Sequence, residues 1–275
     1  MVFGYCEGRE DFSEAVGMAR KADVAIVCVG DSTETCGENF DRVSLDLPGR
    51  QLDFVKAVRA AGTPVVLVIQ SGRPVTAVWE QENIPAILEA WFPGEEGGHA
   101  VAETLFGENN PSGRLPMTFP KHVGQIPCHY SRRPGGGRRY VEMNWLPLYP
   151  FGYGLSYTAF AYGDLKLSAG KITAGEPIGV SFTVTNTGSV RGTAVPQIYL
   201  RDMVSSVVKP ERTLAAFTRV ELEPGERREV SLRIEPEAMR TLGRDYRWRV
   251  EPGEFRVFLA DNAENLLMQR DFTVV

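Results

Sequence analysis

Two hydrophobic rhythms run through this chain, and no single sheet satisfies both. Residues 178–186 alternate without a break, with Ile178, Val180, Phe182 and Val184 on one side and Gly179, Ser181, Thr183 and Thr185 on the other. A period of two marks a strand with one buried face. Residues 24–29, Val-Ala-Ile-Val-Cys-Val, are apolar throughout. Such a run suits a strand covered on both faces, as in a parallel sheet. The pattern therefore predicts two architectures in series, and 275 residues are enough for two domains.

The first part alternates helix-like and strand-like segments. Phe12, Ala15, Val16 and Ala19 have helical spacing, and so do Leu52, Val55, Val58 and Ala61, with Gly62 as a stop. Residues 64–69 and 86–91 read as further buried strands, 98–106 as a short helix, and 30–49 as a long polar loop. This order predicts an α/β layered sandwich domain. Beyond about residue 160 the candidate strands are 178–186, 194–200, 212–222, 227–234 and 253–260. Turn signals such as Pro224-Gly225-Glu226 and Pro252-Gly253-Glu254 separate them. Short strands at this spacing predict an all-β sandwich. Charge changes as well: residues 1–163 carry 14 basic and 19 acidic side chains, residues 164–275 carry 16 of each. The expected division is 1–160 and 161–275.

Composition removes several function classes. A net charge of −5 makes the chain a poor ligand for nucleic acid or anionic lipid. No apolar run approaches the ~18 residues of a membrane span. Residues 1–11 lack a basic stretch followed by an apolar one, so no signal peptide is expected. The four cysteines, Cys6, Cys28, Cys36 and Cys128, have no metal-binding spacing, and Cys28 reads as a small buried hydrophobe. His99, His122 and His129 lack ligand spacing too, so no metal or cofactor is expected. Ser32 and Ser71 lack the Gly-x-Ser-x-Gly setting of an activated serine, and no P-loop lysine follows Gly94–Gly98. Residues 132–139, Arg-Arg-Pro-Gly-Gly-Gly-Arg-Arg, read as a mobile basic loop, either simply solvated or reaching over a polar ligand or neighbouring domain. Trp91, Trp145, Tyr149 and Tyr153 suit packing more than sugar stacking.

Four stretches carry a resemblance to a known family. They are Gly37-Glu38-Asn39-Phe40-Asp41-Arg42 with Ser44-Leu45-Asp46-Leu47-Pro48; residues 64–68 leading into Ser71-Gly72-Arg73-Pro74; residues 91–98, Trp-Phe-Pro-Gly-Glu-Glu-Gly-Gly, with 110–116, Asn-Pro-Ser-Gly-Arg-Leu-Pro; and residues 148–157, Leu-Tyr-Pro-Phe-Gly-Tyr-Gly-Leu-Ser-Tyr. In this order the sequence resembles the C-terminal part of glycoside hydrolase family 3, the β-glucosidases and β-xylosidases. Residues 164–275 resemble that family's fibronectin type III-like domain, an immunoglobulin-like sandwich. The resemblance implies an exo-acting retaining enzyme that removes terminal β-linked sugars from oligosaccharides or glycosides. It also implies an N-terminal barrel, absent from these residues, that bears the nucleophilic Asp in a Ser-Asp context. No Ser-Asp dipeptide occurs here.

A retaining glycosidase uses two carboxyl groups, one nucleophile and one acid/base whose surroundings raise its pKa. The resemblance places the acid/base role on Glu38, in the loop after a buried strand, the end at which α/β sheets build sites. Glu34 on the same loop is the alternative. Asp41 and Arg42 are expected to fix the loop through hydrogen bonds. The implied partners are a β-linked sugar and a barrel, on missing sequence or on a second chain. A barrel-facing surface left bare is expected to self-associate into a homo-oligomer. The competing reading is a non-catalytic carbohydrate-binding or assembly module derived from the same family.

Overall fold

The computed structural model describes residues 11–136 and 139–275. The opening segment with Cys6, and Gly137 and Arg138 of the basic loop, lie outside the described residues. The chain forms two compact units that interleave in sequence: one from residues up to 106 with 119–128 and 146–148, the other from 107–118, 129–145 and 149–275. No helix among the described residues is long and apolar enough to cross a membrane.

The first unit is built in the order α1 (Ser13–Ala19), β1 (Ala25–Gly30), α2 (Gln51–Arg59), β2 (Val65–Gln70), α3 (Val78–Asn83), β3 (Ala86–Glu89) and α4 (Gly97–Phe106). The three strands form a parallel sheet in the order β1-β2-β3, with Ala25 opposite Val65 and Val66 opposite Ala86. Val65, Leu67 and Val68 in the central strand are fully buried, as the apolar run predicts. Helix α2 buries Phe54, Val55 and Val58, which its 3.6-residue period brings to one face. Lys56 and Arg59 in its last turn complement the helix dipole. Its first residue also closes the sheet: the Gln51 side-chain amide accepts from the Gly30 N–H and donates to the Gly30 carbonyl, both at 2.8 Å.

Cys28 departs from its expected burial. It is exposed, although Val27 and Val29 beside it are buried. Strand β1 is an edge strand whose side chains alternate between faces, so Cys28 lies on the face opposite the buried Val27 and Val29.

The second unit contains β4 (Phe160–Leu167), β5 (Lys171–Ile172), β6 (Ile178–Asn186), β7 (Gly192–Ala194), β8 (Gln197–Asp202), β9 (Thr213–Phe217), β10 (Val220–Leu222), β11 (Arg227–Ile234), α5 (Pro236–Met239), β12 (Thr241–Leu242), β13 (Trp248–Arg249), β14 (Gly253–Ala260) and β15 (Leu266–Val274). A three-stranded sheet, β11-β6-β4, and a five-stranded sheet, β5-β15-β14-β8-β9, are antiparallel apart from the β5–β15 pair. Their inner faces share one core that includes Ile178, Phe182, Ile198, Val257 and Leu259. This is the sandwich the period-two segments predict. The expected strand 212–222 is two strands, and the expected strand 194–200 divides at Pro196, which cannot donate to a ladder.

Two polar centres tie the second unit together. Asn186 is fully buried: its amide donates to the carbonyls of Val190 and Leu222, and its oxygen accepts from Thr158 Oγ1 and the Gly188 N–H. The Gln197 side chain donates to the carbonyls of Gly152 and Asp261 and accepts from the buried Tyr199 hydroxyl. The basic loop is anchored at one end. Arg132 pairs with Glu211 at 3.2 Å and Glu264 at 2.9 Å, and its guanidinium lies 4.0 Å from the centre of the Trp145 ring. Tyr149 stacks on Tyr153 at 5.0 Å.

Candidate active site

At the carboxyl end of the first unit's sheet, the residues that follow each strand carry polar groups: Asp31 after β1, Ser71 after β2 and Glu89 at the end of β3. The Asp31 N–H continues the ladder to the Gln70 carbonyl at 2.8 Å, so its side chain leaves a rigid base. That carboxylate is only 1% exposed. It accepts from Ser71 Oγ at 2.8 Å, Thr35 Oγ1 at 3.0 Å and the Gly72 N–H at 3.4 Å. Arg42 stands at 3.4 Å and Arg73 at 3.5 Å, each guanidinium about four-fifths buried. A buried carboxylate persists only when paired and hydrogen-bonded, and Asp31 is both.

The two arginines extend this hold outward. Arg73 Nη2 donates to the Thr35 carbonyl at 3.2 Å, and Arg42 Nη2 to the Asp46 carbonyl at 2.8 Å. Arg42 thus fixes the loop as the sequence leads one to expect. Asp46 accepts from Ser44 Oγ and Thr76 Oγ1, and these bonds, Thr76's first, hold its carboxyl below the usual range. Between these anchors the chain makes a turn closed by Phe40 N–H to Gly37 O at 3.1 Å, with Asn39 left-handed at φ 65°. Asn tolerates that conformation better than most residues. Glu38 is the exposed second residue of the turn, and Glu34 is exposed as well. No side-chain hydrogen bond to Glu38 is formed among the described residues.

Glu89 is a carboxyl group that the sequence pattern hides inside an apolar segment. Its Oε1 accepts from the Trp91 N–H at 3.1 Å, while Oε2 is buried without a partner. Burial, opposed by the Trp91 bond and reinforced by the charge of Asp31, pushes its carboxyl up to about 7. Trp91 adopts φ 51°, unusual for a bulky residue, and packs edge-on against Phe119 at 5.7 Å. Among the remaining candidates, His99 pairs with Glu96 at 2.8 Å on an exposed surface, and His122 caps a short 3₁₀ helix through the Gly124 N–H. Ser71 Oγ donates to Asp31 and to the Arg73 carbonyl, and among the described residues it makes no hydrogen bond with a histidine. Among the described residues no group of three His, Cys, Asp or Glu side chains could hold a metal ion.

The chain thus joins a parallel α/β unit, with a polar loop cluster at the carboxyl end of its sheet, to an antiparallel β-sandwich. The chain belongs to glycosyl hydrolase family 3: the model of that family's C-terminal domain matches residues 5–157, and a fibronectin type III-like domain matches residues 194–263. It is 44% identical over 253 residues to a β-xylosidase of Formosa agariphila, covering 90% of this chain and 35% of the relative. It is 42% identical over 258 residues to a periplasmic β-glucosidase of Salmonella typhimurium, covering 90% and 34%. In structure it resembles a β-glucosidase from Erythrobacter marinus, with TM-score 0.92, 40% identity and coverage of 96% of this chain and 36% of the other. It also resembles a β-glucosidase from Listeria innocua in complex with glucose, with TM-score 0.90, 33% identity and coverage of 99% and 39%. The chain spans about a third of the length of the relatives it matches.

Proposed function

We propose that this chain supplies the acid/base half of a retaining, exo-acting β-glycosidase, with Glu38 as the acid/base and the nucleophilic Asp on a barrel outside these residues. In this reading the inherited domains are residues 1–160 and 161–275. The observation that carries it is the pairing of a rigid base with a free tip. Asp31, Arg42 and Arg73 lock the loop, and Glu38 projects at its turn into solvent. A carboxyl group so placed can protonate a leaving-group oxygen on a sugar held by a second domain, then deprotonate the water that releases the glycosyl-enzyme. Val43, Phe92 and Phe106 are exposed, as a surface awaiting a partner would be, and the isolated chain is expected to self-associate in sedimentation.

The test is hydrolysis of aryl β-glucosides, β-xylosides and the matching disaccharides by the chain joined to a family barrel, with Glu38→Ala alongside. The variant should lose turnover most on disaccharides, whose leaving groups need protonation. An unchanged disaccharide rate would remove Glu38 from the mechanism. Glu38-dependent hydrolysis by the chain alone would show that the nucleophile does not lie elsewhere.

A further inference from the structure

The second unit holds a cavity of about 510 Å³ that none of the roles above employs. Its walls are the segment 154–158, the start of β4 with Phe160 and Tyr162, the β14–β15 turn with Asp261 and Asn265, and the start of β15 with Leu267 and Met268, while Arg114 reaches in from 107–118. The size falls within the ~300–1,000 Å³ range of small-molecule sites.

Three polar groups here have no hydrogen-bond partner among the described residues. Arg114 Nε is buried and unpartnered among the described residues, while its Nη1 donates to the Gly113 carbonyl at 3.0 Å. The Asp261 carboxylate accepts no hydrogen bond from the described residues, although the backbone of Asp261 is well tied through Gln197 and Asn265. The Tyr162 hydroxyl is likewise unengaged. Burial raises both the Asp261 carboxyl and the Tyr162 phenol above their ordinary values, so the phenol remains an O–H donor at neutral pH. Burying an orphaned guanidinium nitrogen is costly without a ligand that accepts its proton. Ser156 and Thr158, by contrast, already donate to Asn110 and Asn186. Gly154 permits this construction, because a Cβ there would stand 2.4 Å from the Gly113 carbonyl and 3.0 Å from Arg114 Cδ.

The lining selects a chemical class. One cation and one anion leave the cavity without net charge, so a charged ligand meets repulsion from one wall. A donor (Arg114 Nε–H), an acceptor (Asp261) and a group that is both (the Tyr162 hydroxyl) suit adjacent hydroxyls, each of which donates and accepts. The rings of Phe160 and Tyr162 and the side chains of Leu155, Leu267 and Met268 suit the C–H faces of a saturated ring. We propose that this cavity is a binding site for a neutral polyhydroxylated ring, a pyranosyl unit, separate from the Glu38 loop and independent of the role of Glu38.

The experiment is an amide-resolved NMR titration of the full chain with methyl β-glucopyranoside, methyl β-xylopyranoside and cellobiose. Sodium acetate and ethylammonium chloride serve as charged controls. Shift changes confined to residues 114, 154–162 and 261–268 with a sugar, at an affinity near ~1 mM, support the site. Asp261→Asn and Tyr162→Phe, which keep the volume and leave the backbone bonds intact, should each weaken that binding about tenfold. Shifts that saturate with acetate or ethylammonium but not with any sugar would overturn the proposal. So would no response at these residues up to roughly 50 mM sugar, far above that affinity, and so would sugar binding indifferent to both variants. Shifts at residues 31–48 alone would assign the binding to the Glu38 loop and also refute this site, whereas Glu38→Ala should leave the cavity's response unchanged.

Discussion

Asp31→Asn tests whether the loop under Glu38 is held by one buried carboxylate. The substitution keeps the shape and replaces one oxygen by an NH₂ group. If that group takes the place of Oδ2, it faces the Ser71 hydroxyl, the Gly72 N–H and Arg73, donor against donor. In the opposite orientation it faces Thr35 Oγ1 and Arg42. Either way both guanidiniums lose their counter-charge. Breaking a buried pair by removing one partner costs about 3–5 kcal/mol. The arginines retain access to water, with side chains 19% and 21% exposed, which places the loss near the lower end, about 3 kcal/mol. The assay is amide hydrogen exchange at Thr35, Cys36 and Phe40, whose N–H groups close the loop's internal turns. Their protection should fall about a hundredfold, the equivalent of that free energy, while β11 and β14 in the other unit keep theirs. Unchanged exchange at those three amides would refute the claim that Asp31 holds the loop. Global unfolding is the poorer readout, since a chain of two compact units need not unfold in one step.

Gly30→Ala should cost about 3 kcal/mol or more, because φ is 138° and a Cβ would lie 1.8 Å from the Gln70 carbonyl oxygen; the exchange of β1 and β2 amides measures it, and undiminished protection would contradict the register described. Glu89 gives the first unit a pH dependence of definite sign. Its folded pKa of about 7 exceeds the ordinary 4.5, so the folded state binds the proton more tightly and stability falls as pH rises from 4.5 to 7, by at most about 3 kcal/mol. Glu89→Gln keeps an acceptor for the Trp91 N–H and should flatten that dependence in unfolding curves taken across the same pH window.

The sequence was most legible where one physical demand acted alone. Strands β6, β11 and β14 have the predicted bounds; β6 and the second half of β11 alternate in burial, whereas the last four residues of β14 are all buried. Strand β4 escaped because a bulge breaks its rhythm: its register with β6 shifts between Gly163 and Lys166, and Asp164 adopts φ 56°. Strand β15 escaped because Gln269, Arg270 and Asp271 fill its middle; Asp271 there makes a two-pronged pair with Arg256 across the strand. Helix α3 is short and buries Glu80, a carboxyl group whose presence argues against a buried face. The Asp31 cluster was illegible for another reason. Ser71 lies 40 residues from Asp31, and no local pattern relates the two.

If Glu38 is the acid/base proposed above, it and Asp31 divide between them what a single carboxyl group could not do. A carboxylate that anchors a loop must be saturated with donors, and such saturation favours the charged form. An acid/base group must instead give up and regain a proton, so it cannot be the anchor. In the proposed reading the two tasks fall seven positions apart in sequence: Asp31 takes the donors of Ser71, Thr35, Gly72, Arg42 and Arg73, while Glu38 takes none of them. In that proposal, a loop anchored through Asp31 is ordered before a partner domain arrives, which lowers the ordering cost of placing the Glu38 carboxyl group against a bound sugar.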